Sequence, residues 1–212
     1  KGHSRVLETG HTLIIGWGAR VPEILRELVE ANESEDEPVA VVLSDLPKEE
    51  MDAYLADNFV DRKNTRLVTR SGSTSSLVSL EKVSARAARS AIVLASCDDT
   101  ASTNDKLMSD AIVIKTVLAL TTGLADDCEL TIVAEVFEPR NRSVVRGIAP
   151  GRVSVIDAQE ILAKIMVQTS RTSGLSVVYS ELLSFSGCEL YFHALGRSGV
   201  TFGQLQFHFE DG

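Results

Sequence analysis

Apolar and polar positions along this chain fall into two alternating textures. Short unbroken apolar runs give way to longer stretches in which apolar residues return every three or four positions. The first run, HTLIIG (His11 to Gly16), reads as a strand covered on both faces. It passes through a glycine pair into a stretch that sets Val21, Ile24, Leu25, Leu28 and Val29 on one helical stripe. ANESEDEP is an acidic loop, and VAVVLSD (Val39 to Asp45) is a second buried strand. Pro47 falls in the first turn of the next helix, where a missing N–H costs nothing, and Glu49 and Glu50 suit its positive end. TRLVTRSG (Thr65 to Gly72) is a third, more polar strand, followed by a short helix over SLVSLEKV. SAIVLAS (Ser90 to Ser96) is the fourth strand. SDAIVIKTVLALTTGL, from Ser109, is the longest helix, and Gly123 can close it. ELTIVAEV (Glu129 to Val136), a short helix over RSVVRGI, and GRVSVID (Gly151 to Asp157) complete the series. Six strands, each followed by a helix, predict an open, doubly wound parallel α/β sheet with right-handed crossovers. Ala31 to Pro38 and Cys97 to Lys106 read as its least structured segments.

After Asp157 the texture changes. DAQEILAKIMVQTSR opens with a capping box, Asp157 and Glu160, and carries Ile161, Leu162, Ile165 and Met166 on one stripe. Gly174 then breaks the chain before a second helix, LSVVYSELLSF. Such a helix–turn–helix crossover offers more apolar surface than one sheet face can cover, which suits packing on another subunit as well as a hairpin within the chain. CELYFHAL reads as a strand, and GVTFGQLQFHFEDG as the start of a small C-terminal lobe cut short. The predicted organisation is a lead-in at 1–10, a sheet unit at 11–156, a helical crossover at 157–186 and the lobe at 187–212.

Composition narrows the function classes. The 212 residues carry a net charge of −9, which argues against nucleic acid as a partner, since neutralising phosphates needs a basic face. Cys97, Cys128 and Cys188 are odd in number and lack metal spacing, the pattern of a reducing compartment. No apolar run reaches the roughly 20 residues of a membrane span, and the polar start KGHSRVLETG is no secretory leader. The first residue is not Met, so a piece of a longer protein is expected. His3, His11, His193 and His208 stand singly, and no nucleophile elbow is present, so no reaction is assigned.

Five strings occur in order: TGHTLIIGWG, VVLSD, PKEEM, RSGS and SAIVLASCDD. Together they resemble the CASTOR/POLLUX-type ion channels, over about Glu8 to Phe185. The resemblance implies a cytosolic regulator-of-K⁺-conductance (RCK, TrkA-N-like) domain with a Rossmann-like sheet. In that family such domains follow a pore helix, assemble as homo-oligomers into a gating ring, and couple ligand binding to the pore. It also implies that Lys1 to Gly10 is the linker arriving from the chain's own pore domain, at the cytosolic face of a membrane. Lys1 and Arg5 suit that side.

Candidate site residues lie where strands end. In Gly16-Trp17-Gly18-Ala19-Arg20-Val21, Gly16 permits a tight turn and Gly18 a close backbone approach, but Val21 takes the place of the third glycine of a dinucleotide fingerprint. Trp17 can cap a pocket. Asp45, ending the second strand, suits ribose hydroxyls or a helix N-cap. Arg70 can pair with a phosphate or a carboxylate, beside Ser71 on the same rim. Asp98, Asp99 and Asp105 crowd one loop, with Glu135 and Glu138 ending the fifth strand, and such carboxylates suit a hard cation such as Ca²⁺.

These readings converge on a ligand-sensing regulatory module of a cation channel. Its first expected ligand is Ca²⁺ at the acidic rim, and its second is a nucleotide, NAD or ATP, at Gly16, Gly18 and Asp45. The alternatives are a fragment of an NAD(P)-dependent oxidoreductase and a soluble TrkA-type potassium-uptake regulator. The 56 or so residues after Asp157 are few for a substrate domain.

Overall fold

The computed structural model describes residues 4–122, 130–185 and 199–205. Six strands form one parallel sheet, β1 (Thr12–Ile15), β2 (Val39–Ser44), β3 (Arg66–Ser71), β4 (Ser90–Val93), β5 (Thr131–Glu135) and β6 (Val153–Ile156). Their order is β3-β2-β1-β4-β5-β6, so the chain winds outward from β1 in both directions. Register is continuous through the centre, with Ile14 opposite Val42 on one side and Ile92 on the other.

The side-chain alternation of β1 divides the core in two. Ile14 joins Ala40 and Val42 against Val21, Leu25 and Val29 of α1 (Val21–Ala31) and Met51 and Leu55 of α2 (Lys48–Asn58). Leu13 and Ile15 face the opposite layer, with Leu80 of α3 (Leu77–Lys82), Val113, Val117 and Leu120 of α4 (Thr103–Thr122), and Val145 of α5 (Pro139–Ile148). The sheet therefore carries helices on both faces, as its unbroken apolar strands predict.

Several boundaries differ from the sequence reading, each for a local reason. The longest helix starts at Thr103 rather than Ser109, because Ser102 and Asp105 cap it inside a run that looks like polar loop. Asp105 N–H donates to Ser102 Oγ at 3.2 Å, and Ser102 Oγ–H donates back to the Asp105 carboxylate at 2.6 Å. α5 starts at Pro139, whose fixed φ suits a first helical residue. Pro47 precedes α2 as its N-cap residue instead of entering the first turn. Gly123, Cys128, Cys188, His193, His208 and the strand expected over CELYFHAL lie outside the described residues. Of the small lobe, the described residues include one short helix, α8 (Phe202–Leu205).

Beyond β6 the N-cap half of the capping box forms, with Asp157 accepting from Glu160 N–H at 3.1 Å to open α6 (Ala158–Arg171), while the Glu160 carboxylate turns to Lys164 and Arg142. Arg142 of α5 pairs with the same Asp157 at 2.7 Å, tying α6 to the sheet unit. α6 meets α7 (Leu175–Leu183), and neither helix has a buried residue. Leu162, Met166, Val167, Val177 and Leu183 are all more than half exposed.

The lead-in is held against the sheet unit. Val6 is fully buried in the same cluster as Leu13 and Val41. Its N–H donates to Lys82 O at 2.7 Å, and its carbonyl accepts from Ser84 Oγ–H. Glu8 pairs with Arg66 at the start of β3, while Arg70 near its end donates to Ser4 O at 2.8 Å. His11, also buried, has its Nε2 at 3.0 Å from Val83 O.

Candidate functional site

The strand order reverses between β1 and β4, and in open α/β sheets the crevice beyond the carboxyl ends at such a point is where ligands bind. Two cavities open here. One, of about 240 Å³, lies among Trp17, Gly18, Arg20, Ser96, Asp98 and Glu135. The other, of about 360 Å³, lies among Gly16, Trp17, Asp45, Leu46, Thr74 and Ile112. Trp17 lines both and stands between them, its indole braced edge-on by Tyr54 with ring centres 5.6 Å apart.

The glycines do different work. Gly16 has φ +114°, and a Cβ there would sit 3.1 Å from both Leu94 Cβ and Leu94 O. Glycine is needed at this position for conformation and for the closeness of β1 to β4. A Cβ on Gly18 would meet nothing within 4 Å, so its freedom serves the open space in front of it. Val21, at the third fingerprint position, is fully buried between β1, β2 and α2. The chain thus accommodates a side chain there by packing it into the core, and the turn keeps its shape.

Asp45 is exposed at the mouth of the second cavity. It does not cap α2, whose N-cap residue is Pro47 and whose start has no side-chain cap; the nearby Leu46 N–H is taken by Ser44 Oγ at 3.2 Å. Its carboxylate is left facing the cavity mouth. Arg70 and Ser71 line neither cavity. Arg70 is turned to Ser4 O and Thr69 O, and the Ser71 hydroxyl is buried.

The acids expected to hold a cation are dispersed. Among the described residues no group of three or more Asp, Glu, His or Cys side chains stands close enough to hold a metal ion. Asp98 accepts from Thr100 N–H at 2.8 Å and Thr100 Oγ–H at 2.6 Å, which holds its carboxyl below the ordinary carboxylate range. Asp105 caps α4. Glu138 leads into α5, with its own N–H given to Asp110 at 2.9 Å. Glu135 and Asp99 both pair with Arg20. Sequence reading treats these carboxylates as free ligands; folding gives Asp98, Asp99, Asp105 and Glu135 partners inside the protein, while the Glu138 side chain caps nothing.

Two residues that shape this region escape the candidate set. Arg20 reaches across the switch point to form the ion pairs just described. Asp110 is a fully buried carboxylate on α4 that accepts from Phe137 N–H, Glu138 N–H and Asn141 Nδ2 at 2.9, 2.9 and 2.8 Å. It fixes the turn from β5 to α5, and with it the position of Glu135. Its signal in the sequence is an acid in line with Val113, Val117 and Leu120 on the helix stripe that enters the core. Cys97 lines the first cavity, but burial pushes its thiol up, away from thiolate reactivity.

This arrangement, a parallel doubly wound sheet with a glycine turn and two cavities at its switch point, is a Rossmann-like TrkA-N-type fold. A TrkA-N domain of the Escherichia coli inner membrane protein ybaL superposes with TM-score 0.54 at 14% identity, covering 77% of this chain and 98% of that one. The human SLO3 gating ring gives TM-score 0.56 at 17% identity over 88% of this chain and 31% of that one. At the level of sequence, the chain is similar to the CASTOR/POLLUX-type ion channels. Residues 159–212 match the family model described as "Castor and Pollux, part of voltage-gated ion channel". The chain is 33% identical along its full length to the "Probable ion channel CASTOR" of Oryza sativa subsp. japonica. It spans 23% of that relative. Among the described residues no helix is long and apolar enough to cross a membrane.

Proposed function

We propose that this chain is the ligand-sensing, RCK-type regulatory module of a cation channel, and that its ligand is an adenine nucleotide bound across the two cavities at the β1–β4 switch point. The Asp45 carboxylate at the mouth of the second cavity, unpartnered among the described residues, is the observation that carries the ligand assignment. In this reading Asp45 takes the ribose hydroxyls, the space beside Leu46 and Ile112 takes the base, and the backbone at Gly18 lets the phosphates approach. No bond is made or broken. Binding favours one arrangement of the module over another, and the difference is passed to a pore. The similarity to a relative named as an ion channel supports this over an oxidoreductase.

The order of ligands given by the sequence is thus reversed. A cation site needs several free oxygen ligands, and four of the five candidate acids are engaged by Arg20, Thr100 or Ser102, which leaves Glu138 without a side-chain partner among the described residues. Assembly with further copies of the chain is supported by α6 and α7, whose apolar stripes are uncovered. Residues 11–156 then serve as the sensor and 157–186 as the crossover element.

Calorimetric titration with ADP, ATP and NAD, with Ca²⁺ in a separate cell, tests the assignment. Saturable heat with a nucleotide, lost in D45N, is the expected result. Heat with Ca²⁺ alone, or silence with all three nucleotides at millimolar concentration, rejects it.

A further inference from the structure

We infer that Arg20 is the residue that selects a polyphosphate at the first cavity, and that Glu135 and Asp99 hold its guanidinium in reserve until the anion arrives. The inference rests on the nucleotide reading above. A helix start normally offers four unpaired N–H groups to an anion. Here that cradle is depleted. Val21 N–H is already given to Gly18 O at 3.1 Å, and Pro22, in the first turn of α1, has none. A phosphate approaching Gly18 therefore needs another donor, and Arg20 is the cation that lines the cavity.

Arg20 occupies the N-cap position of α1, yet its side chain caps nothing. It turns across the switch point instead. One terminal nitrogen pairs with Glu135, and the other stands 3.4 Å from Asp99. Glu135 is fixed in place: its side chain is 13% exposed, and its second carboxylate oxygen accepts from Ala95 N–H at 3.2 Å. Asp99 is anchored by its carbonyl, which accepts from Lys106 Nζ at 2.7 Å. Arg20 is 42% exposed and is the longest side chain of the three, so it is the one that can reach away to another anion. While it is held, Asp98 and Glu135 leave the cavity wall without a free positive charge, which disfavours any anion. When it swings to a phosphate, the planar fork exchanges carboxylate for phosphate oxygens of similar geometry. The tie between the start of α1 and the end of β5 is broken in the same movement. The site thus reports polyphosphate by releasing a contact between the two halves of the sheet.

Titration of the chain with ADP, and separately with adenosine, tests this in R20Q, E135Q and the double variant. R20Q is expected to weaken ADP by about tenfold. E135Q is expected to strengthen it by about threefold, the scale of a partly exposed ion pair removed from competition. Adenosine, which carries no phosphate, is expected to bind all forms alike, and R20K to recover part of the loss; a merely structural role for Arg20 would give neither. In the double variant the gain from E135Q must vanish. If it persists, Glu135 acts by simple repulsion and the reserve mechanism is overturned. ADP binding within about twofold of the parent in R20Q overturns Arg20 as the selector and leaves the nucleotide reading standing. No heat with ADP in the parent, R20Q or E135Q overturns both.

Discussion

The two sides of the switch point carry similar residue types and treat them differently. On the β2 side, Asp45 stands exposed at a cavity mouth with no internal partner among the described residues. On the β4–β5 side, Asp98, Asp99, Asp105 and Glu135 all have partners: a threonine, a helix cap, or Arg20. What decides whether a carboxylate can serve a ligand is the donors that the fold places around it. Those donors come from loops that are remote in sequence.

Removing a fully engaged acid should have the largest effect on the protein. D110A leaves three part-buried donors without their buried acceptor, and about 3 kcal/mol of stability is expected to be lost in urea unfolding. The paired glycines sharpen the contrast further. G16A must fit a Cβ at φ +114° against Leu94 and is expected to cost about 2 kcal/mol. G18A meets nothing within 4 Å and should melt close to the parent, yet weaken nucleotide binding. D45N is expected to leave stability within about 0.5 kcal/mol, as at other surface positions, while reducing ADP affinity. If D45N destabilises the fold as D110A does, the distinction between the two sides fails.

The smallest effect expected is that of pH on His11. Burial lowers its pKa, outweighing the Val83 carbonyl, so the folded form resists protonation. The unfolded chain takes up the proton near the ordinary value of 6.5, and the stability this histidine contributes is lost as pH falls through that value toward its lower folded one. In H11N the decline in melting temperature on acidification should be shallower.

Much of the scaffold was legible in the chain because its signals are local. Apolar runs such as Leu13 to Ile15 and Val41 to Leu43 mark strands buried on both faces, and the Asp157–Glu160 box marks the start of α6. The start of α4 was hidden because Ser102 to Lys106 is as polar as a loop, and only its reciprocal cap makes it helical. Of the residues lining the two cavities, Gly16, Trp17, Gly18 and Asp45 were legible, since one turn and one strand end suffice to place them. Asp99 and Glu135 were legible as rim acids, but not their pairing with Arg20, which depends on β5 lying two places from β1 in the sheet. Arg70 misled for the same reason: its partner, Ser4 O, belongs to a segment that no periodicity marks.

That segment has a consequence for how tension reaches the molecule. Val6 is seated in the core, while Ser4 and Glu8 grip opposite ends of β3, the outermost strand. A tug on the polypeptide upstream of Ser4 is therefore borne first by the sheet margin and the α3 turn, and only afterwards by β1. The chain ahead of its first strand is clamped sideways along the fold like a cable stapled to a wall, so a pull from upstream is taken up at the β3 edge, separated by β2 from β1 and its switch point.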